Sequence, residues 1–157
     1  MRKIQKSIDI KAPVQTVYDF VQQPSNLASI WPSLVSVSNV VAKKGGAHDF
    51  DYVFKMLGHQ FKGHTTVEEA QPAKLARYRN DGGIPSTFKW TYSGLDGNAT
   101  RLNVDVEYTI PSSLTAKTSE QIAAKMNERD LEMMLANLKD LVEQTVVTTT
   151  APAARPH

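Results

Sequence analysis

Residues 101–110 read Arg-Leu-Asn-Val-Asp-Val-Glu-Tyr-Thr-Ile, with an apolar side chain at every second place. Leu102, Val104, Val106, Tyr108 and Ile110 fall on one side of an extended chain, and Arg101, Asn103, Asp105, Glu107 and Thr109 on the other. A period of two predicts a strand with one covered and one wet face, the habit of antiparallel sheets. Just upstream, Phe88, Trp90 and Tyr92 alternate with Thr87, Lys89 and Thr91, and Asp96-Gly97 between the runs is a hairpin signal.

The same period extends toward the N-terminus. Phe50, Tyr52, Phe54 and Met56 share a face, Gly58 marks a reversal, and Phe61, Thr65 and Val67 share the next. Lys74 to Asn80 is a shorter strand with two open phases, Leu75/Arg77/Arg79 inward or Ala76/Tyr78/Asn80 inward. If the arginines turn in, they suit an anionic head group. Val35, Val37 and Val41 form an earlier strand, and Ile4, Ile8 and Ile10 the first. Between those two, Val14, Val17, Tyr18 and Val21 at i, i+3, i+4, i+7 after Pro13 predict a short helix. Ser25 suits the cap of a second, carrying Leu27, Ile30 and Trp31 up to Pro32.

One long helix closes the chain. Thr118 with Gln121 suits a capping box, and the helix reaches about Thr145, near 40 Å. Leu131, Met134, Leu135, Leu138, Leu141 and Val142 make its main stripe. Ile122, Met126 and Met133 lie beside that stripe with Arg129, Asp130 and Asn137, which gives a second, mixed face. The order predicts α+β: seven antiparallel strands, two short helices between strands 1 and 2, and a long C-terminal helix across the covered face. The expected domain is 1–146, with 147–157, rich in Thr, Ala and Pro, a disordered tail.

Composition narrows the function. A chain of 157 residues fits one domain with a real core. Without cysteine there are no disulfides, thiolate metal sites or cysteine nucleophiles. Eighteen Lys+Arg against sixteen Asp+Glu imply neither a nucleic-acid nor an anionic-membrane partner. No apolar run reaches membrane-spanning length, and the alternating, Lys- and Arg-bearing N-terminus does not read as a signal peptide. The expectation is a cytoplasmic protein, monomer or homodimer, with no cofactor. His59 and His64, five apart on one strand, face opposite ways and cannot share a metal there. No phosphate loop, dinucleotide fingerprint or nucleophile elbow is present.

The inner face carries unusual bulk in Phe50, Tyr52, Phe54, Phe61, Phe88, Trp90, Tyr92 and Tyr108. An aromatic-rich core accounts for it, and so does the lining of a small-molecule cavity with Met126 and Met133 on the helix side. Tyr52, Phe54, Phe61, Phe88, Trp90, Tyr92, Tyr108, Met126 and Met133 are therefore the candidate ligand-binding residues. His59, Arg129 and Asp130 are the candidate catalytic residues, and Tyr52 and Tyr108 are further candidates for proton transfer in a dry cavity.

Ala12-Pro13, Val17-Tyr18, Trp31-Pro32, Tyr52-Val53-Phe54-Lys55-Met56-Leu57-Gly58, Trp90-Thr91-Tyr92, Glu107-Tyr108, Ile110-Pro111 and Asn127-Glu128-Arg129 follow one another in an informative order. Together they resemble the START-like (SRPBCC) superfamily in its polyketide cyclase/dehydrase and lipid-transport-like branch, over about Ile4 to Glu143. The resemblance implies the helix-grip fold, a curved seven-stranded sheet around a long C-terminal helix with a hydrophobic cavity between. The superfamily commonly has Trp where Tyr18 stands, and it has no shared catalytic motif. Binding or carriage of a small hydrophobic ligand (lipid, isoprenoid or polyketide-like) is the expected function. The alternatives are a cyclase/dehydratase-type enzyme using the same cavity, and a partner-binding module, which would show a large exposed apolar patch.

Overall fold

The computed structural model describes residues 1–115 and 120–150, with side chains through 114 and over 120–146. In chain order it comprises β1 (Arg2–Ile10), α1 (Val14–Val21), α2 (Pro24–Ile30), β2 (Leu34–Ala42), β3 (His48–Met56), β4 (His59–Gln71), β5 (Leu75–Gly82), β6 (Ser86–Leu95), β7 (Ala99–Tyr108), α3 (Ser112–Thr115) and α4 (Glu120–Thr150). The seven strands form one antiparallel sheet in the order β1-β7-β6-β5-β4-β3-β2. This is the expected α+β helix-grip arrangement. β1 and β2 are the two edges of the sheet, so α1 and α2 must carry the chain from one edge to the other.

The alternation in β7 is realised fully: Leu102, Val104, Val106 and Tyr108 are buried while Arg101 and Glu107 are exposed. Leu57 and Gly58, both left-handed, make the tight β3–β4 turn. α4 lies along β1 on the covered face. Lys6 pairs with Glu128 and Glu132, the Lys11 amide donates to Glu143, and the Lys139 ammonium donates to the Asp9 carbonyl. Leu131, Met134, Leu135, Leu138 and Val142 turn their stripe onto the sheet.

Several expectations are corrected. The cap of α2 is Gln23 with Pro24 at the first helical position, so Ser25 is already inside the helix. β2 is bulged twice, between Leu34 and Ser36 and between Ser38 and Val41, with Asn39 left-handed. Each bulge shifts the phase, and Val35 and Val41 consequently face outward and are exposed. α4 continues through Thr150, so helix enters the stretch expected to be a tail; the rest of that tail and Thr118 lie outside the described residues. Leu141 is partly exposed and does not belong to the dry stripe.

Candidate functional site

Between the sheet and the N-terminal half of α4 lies a cavity of about 110 Å³. Its floor is the inward row of β3 to β7, including Phe50, Tyr52, Phe54, Phe88, Trp90 and Tyr108; its roof includes Trp31, Leu34, Asn127, Asp130 and Leu131. Strand geometry explains the floor, because every second residue of adjacent strands meets on one surface.

Trp31, which follows α2, is the pivot of the roof. Its ring stands edge-on to Phe54 (5.7 Å, 83°) and to Phe88 (5.4 Å, 62°), and Phe88 stacks toward Trp90. Its indole Nε1 donates to Asp130 Oδ2 at 2.6 Å, and Ser33 donates to the same carboxylate from both its hydroxyl and its backbone amide. The Asn137 amide donates to the Ile30 carbonyl at 2.9 Å, so α4 grips the end of α2 at two points. Burial pushes the Asp130 carboxyl above its ordinary value, and the Ser33 and Trp31 donors only partly oppose this.

The sign of that shift fixes a pH dependence. A carboxyl raised in the folded state favours folding most when protonated, and that contribution is lost as pH rises from the unfolded value of about 4 through the raised folded value. Against Asp130→Asn, which does not titrate, the wild-type protein is expected to lose relative stability over that interval. Urea midpoints for both proteins between acid and neutral pH check this; a constant difference would contradict it.

Beside the cavity, on the same inward face and under the end of α1, sits a buried polar cluster. Gln22, 3% exposed, donates through Nε2 to the Tyr92 hydroxyl at 3.1 Å and accepts from the Tyr78 hydroxyl through Oε1. His48 Nδ1 meets the Gln22 carbonyl at 2.9 Å, and the Tyr18 hydroxyl donates to the Gly45 carbonyl at 2.6 Å. Burial raises the Tyr78 and Tyr92 phenols well above their ordinary value, which keeps them neutral. These bonds satisfy the polar ends that aromatic residues bring into a core.

The structure divides the sequence candidates. Tyr52, Phe54, Phe88, Trp90, Tyr108 and Asp130 lie on the cavity wall. Tyr92 is buried in the Gln22 cluster instead, and Phe61 packs half-buried beside Phe54 in the β3–β4 hairpin rather than on the wall. Met126 and Met133 are 46% and 54% exposed and do not line the cavity, because their line on α4 has rotated past the sheet into solvent. His59 at the hairpin tip and Arg129 on the outer face of α4 are exposed as well, so neither reaches the cavity as a proton-transfer group. In β5, Ala76, Tyr78 and Asn80 point inward. Arg77 pairs outside with Glu69, and Arg79 with Glu68 and Asp81, so neither arginine serves an internal anion.

Trp31, Thr65, Tyr78, Asn80, Ser86 and Asn127 were not among the candidates, yet all line the wall. Thr65 and Ser86 carried a usable signal, being in phase with Phe61 and Val67 and with Phe88 and Trp90; Tyr78 and Asn80 needed the β5 phase, Asn127 the rotation of α4, and Trp31 the docking of the segment after α2. Asn127 donates to the Tyr108 hydroxyl at 3.2 Å and lies near Met56 Sδ at 3.6 Å.

Solved structures share this architecture. A protein from Thermus thermophilus superposes with a TM-score of 0.75 at 19% identity, covering 96% of this chain and 100% of its own. A START superfamily protein from Mycobacterium smegmatis gives 0.73 at 16% identity, over 91% of this chain and 98% of its own. The Zhui aromatase/cyclase from a Streptomyces species gives 0.69 at 16%, over 99% of each chain. At such identities the likeness is one of fold. Comparison with curated proteins by sequence gives no match. Residues 1–143 do match the family described as polyketide cyclase / dehydrase and lipid transport, with its hydrophobic ligand-binding fold, and the chain belongs to that family.

Proposed function

We propose that the protein binds and carries an uncharged, largely apolar small molecule in the space between sheet and α4. The composition of the wall supports this best: aromatic and aliphatic side chains dominate it, and among the described residues it contains no Lys, Arg or His. Its one carboxylate, Asp130, already accepts from Trp31 and Ser33. A ligand carboxylate or phosphate would have to shed its hydration with no cation to receive it, a severe cost in such surroundings.

Size narrows the class. About 110 Å³ is somewhat less than the roughly 150 Å³ of an engineered apolar cavity that admits benzene. A guest on the scale of one ring suits the cavity as it stands, and a lipid or isoprenoid chain requires the Trp31 roof to move. A cyclase or dehydratase needs two proton-transfer groups converging on one point; His59 and Arg129 are in solvent, and the wall's Asp130, Tyr108 and Tyr52 hydrogen-bond separately to Trp31 and Ser33, to Asn127 and to the Ile84 carbonyl, so carriage is the favoured reading.

Trp31 and Trp90 both line the cavity and supply the assay. Toluene is expected to perturb tryptophan fluorescence saturably, and octanoate to do so only at much higher concentration. Native mass spectrometry of the purified protein is expected to reveal a neutral guest. A protein that takes up no neutral ring compound, or binds octanoate equally well, would overturn the reading.

A further inference from the structure

Inward positions of a half-covered sheet are ordinarily apolar, yet three adjacent strands here each turn a polar residue into the cavity. Thr65 of β4 and Asn80 of β5 are register partners, and Asn80 and Ser86 of β6 are partners in turn. The three make one row across the sheet. Thr65 Oγ1 donates to Asn80 Oδ1 at 2.5 Å, Asn80 Nδ2 donates to Ser86 Oγ at 2.9 Å, and Ser86 Oγ donates to the Ile84 carbonyl at 3.3 Å. The Tyr52 hydroxyl reaches the same carbonyl from β3, at 3.4 Å.

The row has hydrogen-bonding capacity to spare. The Asn80 amide has two N–H groups and this row uses one. The Tyr52 O–H has only a bond well beyond the usual 2.5–3.0 Å range of hydroxyl donors, so exchanging it for a better acceptor costs little. The Thr65 hydroxyl proton is committed, while the Ser86 hydroxyl, 3.3 Å from the same Ile84 carbonyl, is held almost as loosely as that of Tyr52. The Asn80 amide and the Tyr52 hydroxyl, with Ser86 beside them, therefore have donors for a guest. Burial also raises the Tyr52 phenol, which keeps its proton in place.

The backbone accommodates the arrangement. Gly63 stands opposite Tyr52 in the β3–β4 register, and a Cβ there would collide with the Tyr52 hydroxyl and lie 2.5 Å from the Asp81 carbonyl oxygen. A side chain at 63 would expel the phenol from this end of the cavity.

We infer that the Thr65–Asn80–Ser86 row with Tyr52 is an acceptor-recognising subsite, and that the ligand is a ring-sized apolar molecule bearing one neutral acceptor oxygen, such as a ketone carbonyl, docked on Asn80 and Tyr52. This rests on the ligand-binding reading above and adds the polarity and placement of one functional group. The ring then lies against the edges of Trp31, Phe54 and Phe88, and its oxygen points toward the β5–β6 turn.

Cyclohexanone and methylcyclohexane have the same heavy-atom count and differ in the acceptor. NMR titration of the labelled full chain, with each Kd referred to the compound's own partition from water into an alkane, is expected to show cyclohexanone bound about tenfold more favourably than methylcyclohexane, as one or two net hydrogen bonds provide. Asn80→Leu is expected to bring the ratio near one and Tyr52→Phe to reduce it to about threefold, each leaving methylcyclohexane affinity within about twofold. Tyr52→Phe keeps the ring and so guards against a folding failure in Asn80→Leu. Equal binding of the two compounds on that scale by the wild-type protein overturns the subsite while leaving the ligand-binding reading standing. Variants that weaken both compounds equally also overturn it, and failure of both compounds to bind overturns the two readings together.

Discussion

Gln22→Ala is expected to destabilise the protein by about 3–5 kcal/mol, although the residue touches neither the cavity nor the main stripe of α4. Its carboxamide joins two buried phenols, accepting from Tyr78 and donating to Tyr92. Truncation leaves the Tyr78 proton without its acceptor and the Tyr92 oxygen without its donor, at about 1–3 kcal/mol each, and adds a void. The same reasoning predicts recovery. In Gln22→Leu/Tyr78→Phe/Tyr92→Phe no polar group is left stranded, and most of the loss is expected to return. Urea unfolding followed by circular dichroism gives both values; a triple variant as unstable as Gln22→Ala would show that packing, not polar pairing, sets the cost.

Trp31→Ala is expected to cost about 3 kcal/mol, at the lower end for a large aromatic because the indole is only partly buried. The functional effect should be larger. The indole closes the cavity between Phe54 and Phe88 and is held by Asp130. Its removal is expected to enlarge the space in the direction of α2. Naphthalene, two fused rings where a cavity of about 110 Å³ suits one, is then expected to bind the variant at least tenfold better than the wild-type protein. Unchanged selection between toluene and naphthalene would mean that Trp31 does not set the size limit.

The extent to which the sequence disclosed this site follows from the physics of each element. β7 was legible because one face is wholly covered while the other is polar and reaches solvent, so its pattern carries register without ambiguity. β5 was not, because Arg77 and Arg79 alternate with Ala76, Tyr78 and Asn80, and neither set is clearly the apolar one. β2 misled through its bulges, which no residue spacing announces. Met126 and Met133 misled because a helix crossing a curved sheet touches it along a narrow line, and long flexible side chains can sit beyond the rim. The polar row on the floor escaped for a more general reason. Asn80 shares an open inward phase with Ala76 and Tyr78, and Ser86 is in phase with Phe88 and Trp90, but a search for ligand contacts among aromatic and Met residues passes over the small polar groups between them. Asp130 was named with Met126, Met133 and Arg129 on the mixed line of α4, and of these four it alone reaches the cavity wall.

The pairing of β1 with β7 joins residues 2–10 to residues 100–108. As the chain leaves the ribosome, its first strand therefore has no mate until the last one has been synthesised. The β2–β7 meander can zip hairpin by hairpin, whereas the β1 edge waits on a loop closure spanning most of the molecule, the kind of long-range contact that slows folding. In the interval, Ile4, Ile8 and Ile10 are unsheltered on a nascent strand, so this segment is the one exposed to aggregation for the longest time during synthesis.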